Sequence, residues 1–267
     1  MQKIRLIGID VDGTLVGTGG LVHPSVWDAA RRAGEHGIHL ALCSGRPAMG
    51  VALEYARRLE PGGWHVFQNG ASILNLTTGQ SHSSPLPLSL KDALIQQARS
   101  SGETLELYSD SSYVVESTSR EAREHAELLG LVYDPRPFES LTQPIVRAQW
   151  LVSRTRANEL TSLPHEGLEA AQSSSPLMPD TQFVGLTSAG VTKGNAMKSI
   201  ADEYGISLKD VMYVGDAPND LSALRIVGHP IAMGNADPVV LKAAGRSVGH
   251  VDQGGLAQAL TLALAIS

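Results

Sequence analysis

Ile4-Arg5-Leu6-Ile7-Gly8-Ile9-Asp10-Val11-Asp12-Gly13-Thr14-Leu15 is the stretch on which the reading of the fold turns. Ile4 to Ile9 is apolar except for Arg5, and a short run of this kind predicts a strand buried on both faces, as in a parallel sheet. It ends abruptly in two carboxylates two residues apart. A strand would aim both to one face, and Gly13 makes a loop the expected geometry. One carboxylate can serve as a nucleophile while its neighbour holds or delivers a proton. Their like charges repel unless a cation sits between them or one is protonated. Asp-Gly is also ordinary turn chemistry, so the pair alone leaves a surface turn open.

The neighbouring segments alternate in kind. Pro24 to Gly37 predicts a helix with Val26, Ala29, Ala30 and Ala33 on its apolar side and Gly37 as its stop. Ile38 to Cys43 predicts a second buried strand, ending at Ser44-Gly45-Arg46-Pro47. A helix over Ala48–Leu59, a strand over His65–Gln68 and a turn at Asn69-Gly70 follow. This alternation points to βαβ units and a parallel, Rossmann-like sheet, whose ligands bind beyond the carboxyl ends of the strands. The Asp10–Thr14 and Ser44–Arg46 stretches both sit at such ends.

The style changes at Ser81-His82-Ser83-Ser84-Pro85-Leu86-Pro87, which reads as a connector. Beyond it the pattern gives a helix (88–100), strands (104–108, 113–117) and a helix (119–129). The loop Asp134-Pro135-Arg136-Pro137 precedes a strand (145–152), a helix (156–163) and two further strands (167–173, 181–187). Strands without intervening helices imply an α+β insert with antiparallel pairing. After Gly190 the alternation returns. Helices are expected at 193–204, 221–227, 238–244 and 256–265, with strands at 211–214 and 231–233. The expected organisation is an α/β core made of residues 1–82 and 188–267, with an inserted α+β domain at 83–187.

The totals narrow the class. The chain has 267 residues, 42% of them hydrophobic and 18% charged, with a net charge of −6. That is ordinary for a globular protein and lacks the basic footprint of a nucleic-acid binder. The single cysteine, Cys43, cannot form an intramolecular disulfide, which fits a reducing compartment. The opening residues read as neither a signal peptide nor a membrane span, so a cytoplasmic location is expected. The histidines show no metal-ligand spacing, His36 and His39 read as surface residues, and Cys43 reads as a buried structural thiol.

Three further motifs carry chemistry. Ser44 and the Gly45 backbone can bind phosphate oxygens, although Ser44 could equally cap a helix that has Pro47 in its first turn. Lys193 opens a helix, where the helix dipole disfavours a cation; a bound phosphate would resolve that conflict, while a solvated surface lysine is the plainer alternative. Gly215-Asp216-Ala217-Pro218-Asn219-Asp220 follows the apolar Val211–Val214 and offers oxygen ligands suited to magnesium, or else a helix cap.

In this order, the segments resemble the haloacid dehalogenase superfamily of aspartate-nucleophile hydrolases. Asn69-Gly70-Ala71, Lys193-Gly194, Gly215-Asp216 with Asn219-Asp220, and Asp252-Gln253-Gly254-Gly255-Leu256 are similar to its Cof-like sugar-phosphate phosphatases, which carry a large cap between the second and third motifs. The resemblance implies a Mg2+-dependent phosphatase of a small phosphorylated metabolite. Asp10 would be the nucleophile and a metal ligand. Asp12 would be the general acid/base and would reach the metal through its carbonyl. Ser44, Gly45, Lys193 and Asn219 would hold phosphate, while Asp216 and Asp220 would bind or support the metal; Arg46 is a candidate for substrate or phosphate binding, with a solvated or structural arginine as the equal alternative. In the insert, Arg136, Arg147 and Gln149 are candidates for substrate contact. A phosphomutase of the same superfamily and a catalytically silent phosphometabolite-binding protein are the alternatives, and the oligomeric state is open.

Overall fold

The computed structural model describes residues 3–162, 166–175 and 177–266. Leu163, the expected end of one helix, and His165 lie outside these residues. In chain order the elements are β1 (Leu6–Ile9), α1 (Pro24–Glu35), β2 (His39–Leu42), α2 (Gly50–Leu59), β3 (Trp64–Phe67) and β4 (Ser72–Asn75). Next come α3 (Leu88–Ser101), β5 (Thr104–Tyr108), β6 (Tyr113–Val115), α4 (Arg120–Leu129), β7 (Arg147–Val152), α5 (Arg154–Ser162), β8 (Leu168–Ser175) and β9 (Met178–Ser188). The chain closes with α6 (Lys193–Glu203), β10 (Val211–Gly215), α7 (Leu221–Leu224), β11 (His229–Ala232), α8 (Pro238–Ala244) and α9 (Gly255–Ile266).

Two compact units result. The first holds Met1–Gly45, Ala52–Ser81 and Thr192–Ser267; the second holds Arg46–Val51 and His82–Val191. The first unit is built on a parallel sheet of order β11-β10-β1-β2. Leu6, Ile7 and Ile9 are wholly buried, as a central parallel strand covered on both faces requires. A parallel bridge, Cys43 to Val66, carries β3 along the same edge. There His65 accepts the Leu42 N–H at Nδ1 and meets the Glu60 carbonyl at Nε2. Burial pushes its ring down to about 4, so it stays neutral.

The second unit is a five-stranded antiparallel sheet of order β6-β5-β7-β9-β8. One face carries the larger apolar core, including Leu105, Leu107, Trp150, Val184 and Leu186, with Leu94 and Ile95 of α3 and Leu160 of α5. Tyr108, Tyr113 and Val115 pack with Ala122 and Ala126 of α4, and Met49 from the 46–51 segment lies against them. The α/β fold with an inserted α+β unit is therefore present.

Several local expectations are corrected. β4 was not anticipated: it pairs antiparallel with β3, and Ser72-Ile73-Leu74-Asn75 is too short to announce itself by period. The helix expected over 221–227 is regular only to Leu224. α2 begins at Gly50 rather than Ala48, so Ser44 does not cap it. His39 is half-buried: its ring stacks on Tyr204 with centroids 3.8 Å apart, and Nδ1 lies 2.8 Å from Glu60 Oε1.

Candidate active site

Asp10 follows β1, and its N–H donates to the Val214 carbonyl of β10 at 3.0 Å. The nucleophile candidate is thus fixed at the carboxyl edge of the sheet by the ladder itself. Val211–Gly215 ends at the same edge and delivers Asp216, and α6 starts there with Lys193. Thr192 caps α6, its hydroxyl accepting the Asn195 N–H.

Lys193 is not the solvated lysine of the plainer reading; it is only 1% exposed. Its Nζ donates to Asp10 Oδ1 at 2.5 Å and to Asp220 Oδ1 at 2.8 Å. Burial alone would push the ammonium down, but the Asp10 and Asp220 charges outweigh it and the pKa rises. Asp10, itself 5% exposed, moves the other way from an ordinary carboxylate. Burial and then the Asp220 charge raise it well above its usual range, despite Lys193. The Asp216 carboxyl is raised to about 6, first by burial and then by Asp220.

Asp10, Asp216 and Asp220 each offer an oxygen, all within 4.8 Å of one another. A single lysine against these acids leaves a negative excess in a poorly solvated place. Hard oxygen donors with excess negative charge are the donor set for Mg2+, so these residues fit the ion that the sequence implies. They do not contribute equally. Asp220 Oδ1 accepts from Lys193 and from the Tyr213 hydroxyl at 2.7 Å. Its Oδ2 accepts the Asp216 and Ala217 N–H groups, both at 3.0 Å. That exhausts its acceptor positions, so Asp220 holds the loop and Lys193, while Asp10 and Asp216 keep capacity for a cation.

Asp216 is held in turn. Thr14 Oγ1 donates to its Oδ1 at 3.2 Å. Gly13 lies so close that an added Cβ would sit 2.2 Å from Asp216 Oδ2, at a φ of +86°. Only glycine satisfies both conditions. Asn235 Nδ2 donates to the Gly13 carbonyl at 2.8 Å and lies 3.5 Å from Asp216 Oδ2, while its Oδ1 accepts the Val251 N–H at 2.9 Å. Asp252 accepts from the Thr18 backbone and hydroxyl at 3.0 and 2.7 Å, pinning the loop beyond Thr14.

The other expected residues are distributed as follows. Asp12 is exposed, and its side chain is not among the converging acids. Ser44 is wholly buried; its N–H donates to the Val66 carbonyl and its carbonyl accepts the Asn69 N–H, both at 2.9 Å. Asn219 is exposed and donates to Asn69 Oδ1 at 3.0 Å. Arg46 groups with the second unit. Gln149, a candidate substrate contact, is 2% exposed and donates to Glu106 at 3.3 Å inside that unit. Arg136 is tied to Asp134, Ser140 and the Tyr113 carbonyl. Burial lowers the Arg147 pKa. Sequence reasoning missed the roles of Thr14, Tyr213 and Asn235. Thr14 stood inside the quoted motif, whereas nothing local distinguishes a tyrosine in an apolar strand or an asparagine in a turn.

A parallel sheet thus gathers buried acids and one lysine at its carboxyl edge, where α/β folds of this kind bind their ligands. The chain belongs to the haloacid dehalogenase-like hydrolase family, whose family model matches residues 7–260. It is 29% identical to YxeH of Bacillus subtilis over 96% of this chain and 97% of that protein. It is also 24% identical to the 5-amino-6-(5-phospho-D-ribitylamino)uracil phosphatase YwtE of the same organism, over 87% and 88% of the two chains. Among solved structures, a haloacid dehalogenase-like hydrolase from Bacteroides thetaiotaomicron superposes with a TM-score of 0.86 at 26% identity, covering 97% of this chain and 99% of its own.

Proposed function

We propose that the chain is a Mg2+-dependent phosphomonoester hydrolase acting on a small phosphorylated metabolite of the sugar-phosphate class. The observation that carries this reading is the pairing of buried Lys193 with Asp10 beside Asp216. It leaves a carboxylate poised at the sheet edge in surroundings that call for more positive charge.

Asp10 attacks phosphorus, forming an Oδ–P bond as the ester P–O bond breaks. Asp12, exposed and two residues on, gives its proton to the departing oxygen. It then takes a proton from water, which attacks the aspartyl-phosphate, releases inorganic phosphate and restores Asp10. Lys193, the Ser44 hydroxyl and Asn219 balance charge on the equatorial oxygens. Mg2+, held by Asp10, Asp216 and the Asp12 carbonyl with Asp220 behind them, would supply further positive charge to the phosphoryl group. The insert, residues 83–187, serves as the substrate-selecting cap. YwtE, by its name, acts on a phosphorylated ribityl compound, which supports the substrate class. Among the described residues no helix is long and apolar enough to cross a membrane.

A Mg2+-dependent phosphate-release screen over sugar, nucleotide and polyol phosphates tests the reading. Release of inorganic phosphate without an isomeric sugar phosphate supports it. Isomer formation would establish the mutase, and binding without any release would establish the silent binder.

A further inference from the structure

Gln68 and Asn69 are consecutive non-glycine residues in the left-handed region, with φ of 53° and 59°. Such backbone is disfavoured for residues with a Cβ, less so for asparagine, and it persists where the surroundings enforce it. Here the Asn69 N–H donates to the Ser44 carbonyl at 2.9 Å, and the Ala71 N–H to the Gln68 carbonyl at 3.1 Å. The turn lays the Asn69 amide against Gly45, where an added Cβ would lie 3.2 Å from Asn69 Oδ1. The same oxygen accepts from Asn219 Nδ2 at 3.0 Å, across 150 residues of sequence. Asn69 therefore meets Ser44 and Asn219, two of the phosphate-holding residues of the proposed function, and the Gly45 backbone beside them.

We infer that Asn69 is a positioning residue for the phosphoryl group, acting through Asn219. An exposed asparagine amide otherwise turns freely between its two orientations. An acceptor fixed on one Nδ2 hydrogen settles which end faces the site and leaves the second hydrogen for a phosphate oxygen. The strained turn supplies that acceptor, and Gly45 leaves room for it. The inference rests on the phosphate-binding reading of the site.

The test compares wild type, Asn69→Gly, Asn219→Ala and the double variant, each with Mg2+. Binding of inorganic phosphate is measured by calorimetry, and kcat and KM are measured on an aryl phosphate. Glycine relieves the left-handed backbone, so the Tm of Asn69→Gly should equal or exceed that of wild type. Its phosphate Kd and KM should nevertheless rise about tenfold, with kcat changed less. The double variant should bind phosphate no more weakly than Asn219→Ala alone. Unchanged phosphate affinity in Asn69→Gly, or additive losses in the double variant, would overturn the inference. If wild type turns over esters and Asn69→Gly matches it, the inference fails alone. If wild type binds phosphate but hydrolyses nothing, the phosphatase reading fails while the cycle still decides the role of Asn69. If wild type binds no phosphate, both fail.

Discussion

Two regions of the chain bury charge, and they do so in opposite ways. In the insert, Glu106 is wholly buried and every close partner can donate to it. The Tyr108 hydroxyl lies 2.6 Å away, His125 Nδ1 2.9 Å and Gln149 Nε2 3.3 Å. In the α/β unit, Asp10, Asp216 and Asp220 crowd around one lysine, and the first two are pushed toward protonation. A buried charge surrounded by donors is a finished structural element, whereas a cluster with surplus negative charge is unfinished without a cation. The contrast teaches that burial of charge alone does not mark a functional site; the mark is the imbalance left among the buried partners.

The largest effect that could break this comparison is on turnover. Asp10→Asn should lower kcat on an aryl phosphate by about 10⁴-fold or more, because the proposed nucleophile is gone. The same change should raise the metal-free Tm, since a neutral amide imitates the protonated form that the crowded site prefers. Near-normal turnover would remove Asp10 from the chemistry. A fall in Tm would show that the pairing of Asp10 with Lys193 outweighs its repulsion by Asp216 and Asp220.

Glu106→Gln probes the opposite region and should do the reverse to stability, costing about 2 kcal/mol in urea denaturation because an acceptor surrounded by donors is replaced by a group that must donate. A neutral result would place the two regions in the same class.

Magnesium should tell them apart next. Native-state pKa values raised above the unfolded ones mean extra bound protons, so this site's contribution to metal-free stability falls as pH rises from the ordinary 3.8 through about 6. Mg2+ competes with those protons, so its stabilisation, about 2–3 kcal/mol near saturation, should be fuller at about pH 7.5 than at about pH 5. Differential scanning fluorimetry at the two pH values reads this directly. Equal shifts would contradict the assignment of the acids as the cation's ligands.

A smaller effect is expected at Asn235, which ties Gly13 and Asp216 to the chain at Val251. Asn235→Ala should weaken Mg2+ binding measured by calorimetry about three- to tenfold, the worth of one or two hydrogen bonds. The least change belongs to Cys43. Burial pushes its thiol up to about 12, so alkylation of the native protein at about pH 8 should be negligible until the chain unfolds. Rapid labelling would mean that the packing around Cys43 opens in the native protein.

Much of the fold was legible because it rests on short-range pattern. The apolar run before Asp10, the helix period of α1 and the loss of alternation after Ser81 each follow from which residues neighbour which along the chain. β4 was missed because four residues carry too little period. Gln149 could be offered only as a candidate substrate contact, because a polar residue in a strand shows its neighbours along the chain but not the Glu106 opposite it. The reach of Lys193 to Asp10 spans 183 residues and the Asn69–Asn219 bond 150. Nothing in either local stretch encodes such a meeting.

By itself the amino-acid sequence determined the strand that carries Asp10, the alternating elements on both flanks of the insert, and the supply of acids, hydroxyls and a lysine at their ends. The tertiary structure alone decided which of these groups meet, which are satisfied and which are left with surplus charge. Propensity and period act over a few residues, whereas the balance of a buried charge depends on every group the fold brings within a few ångströms.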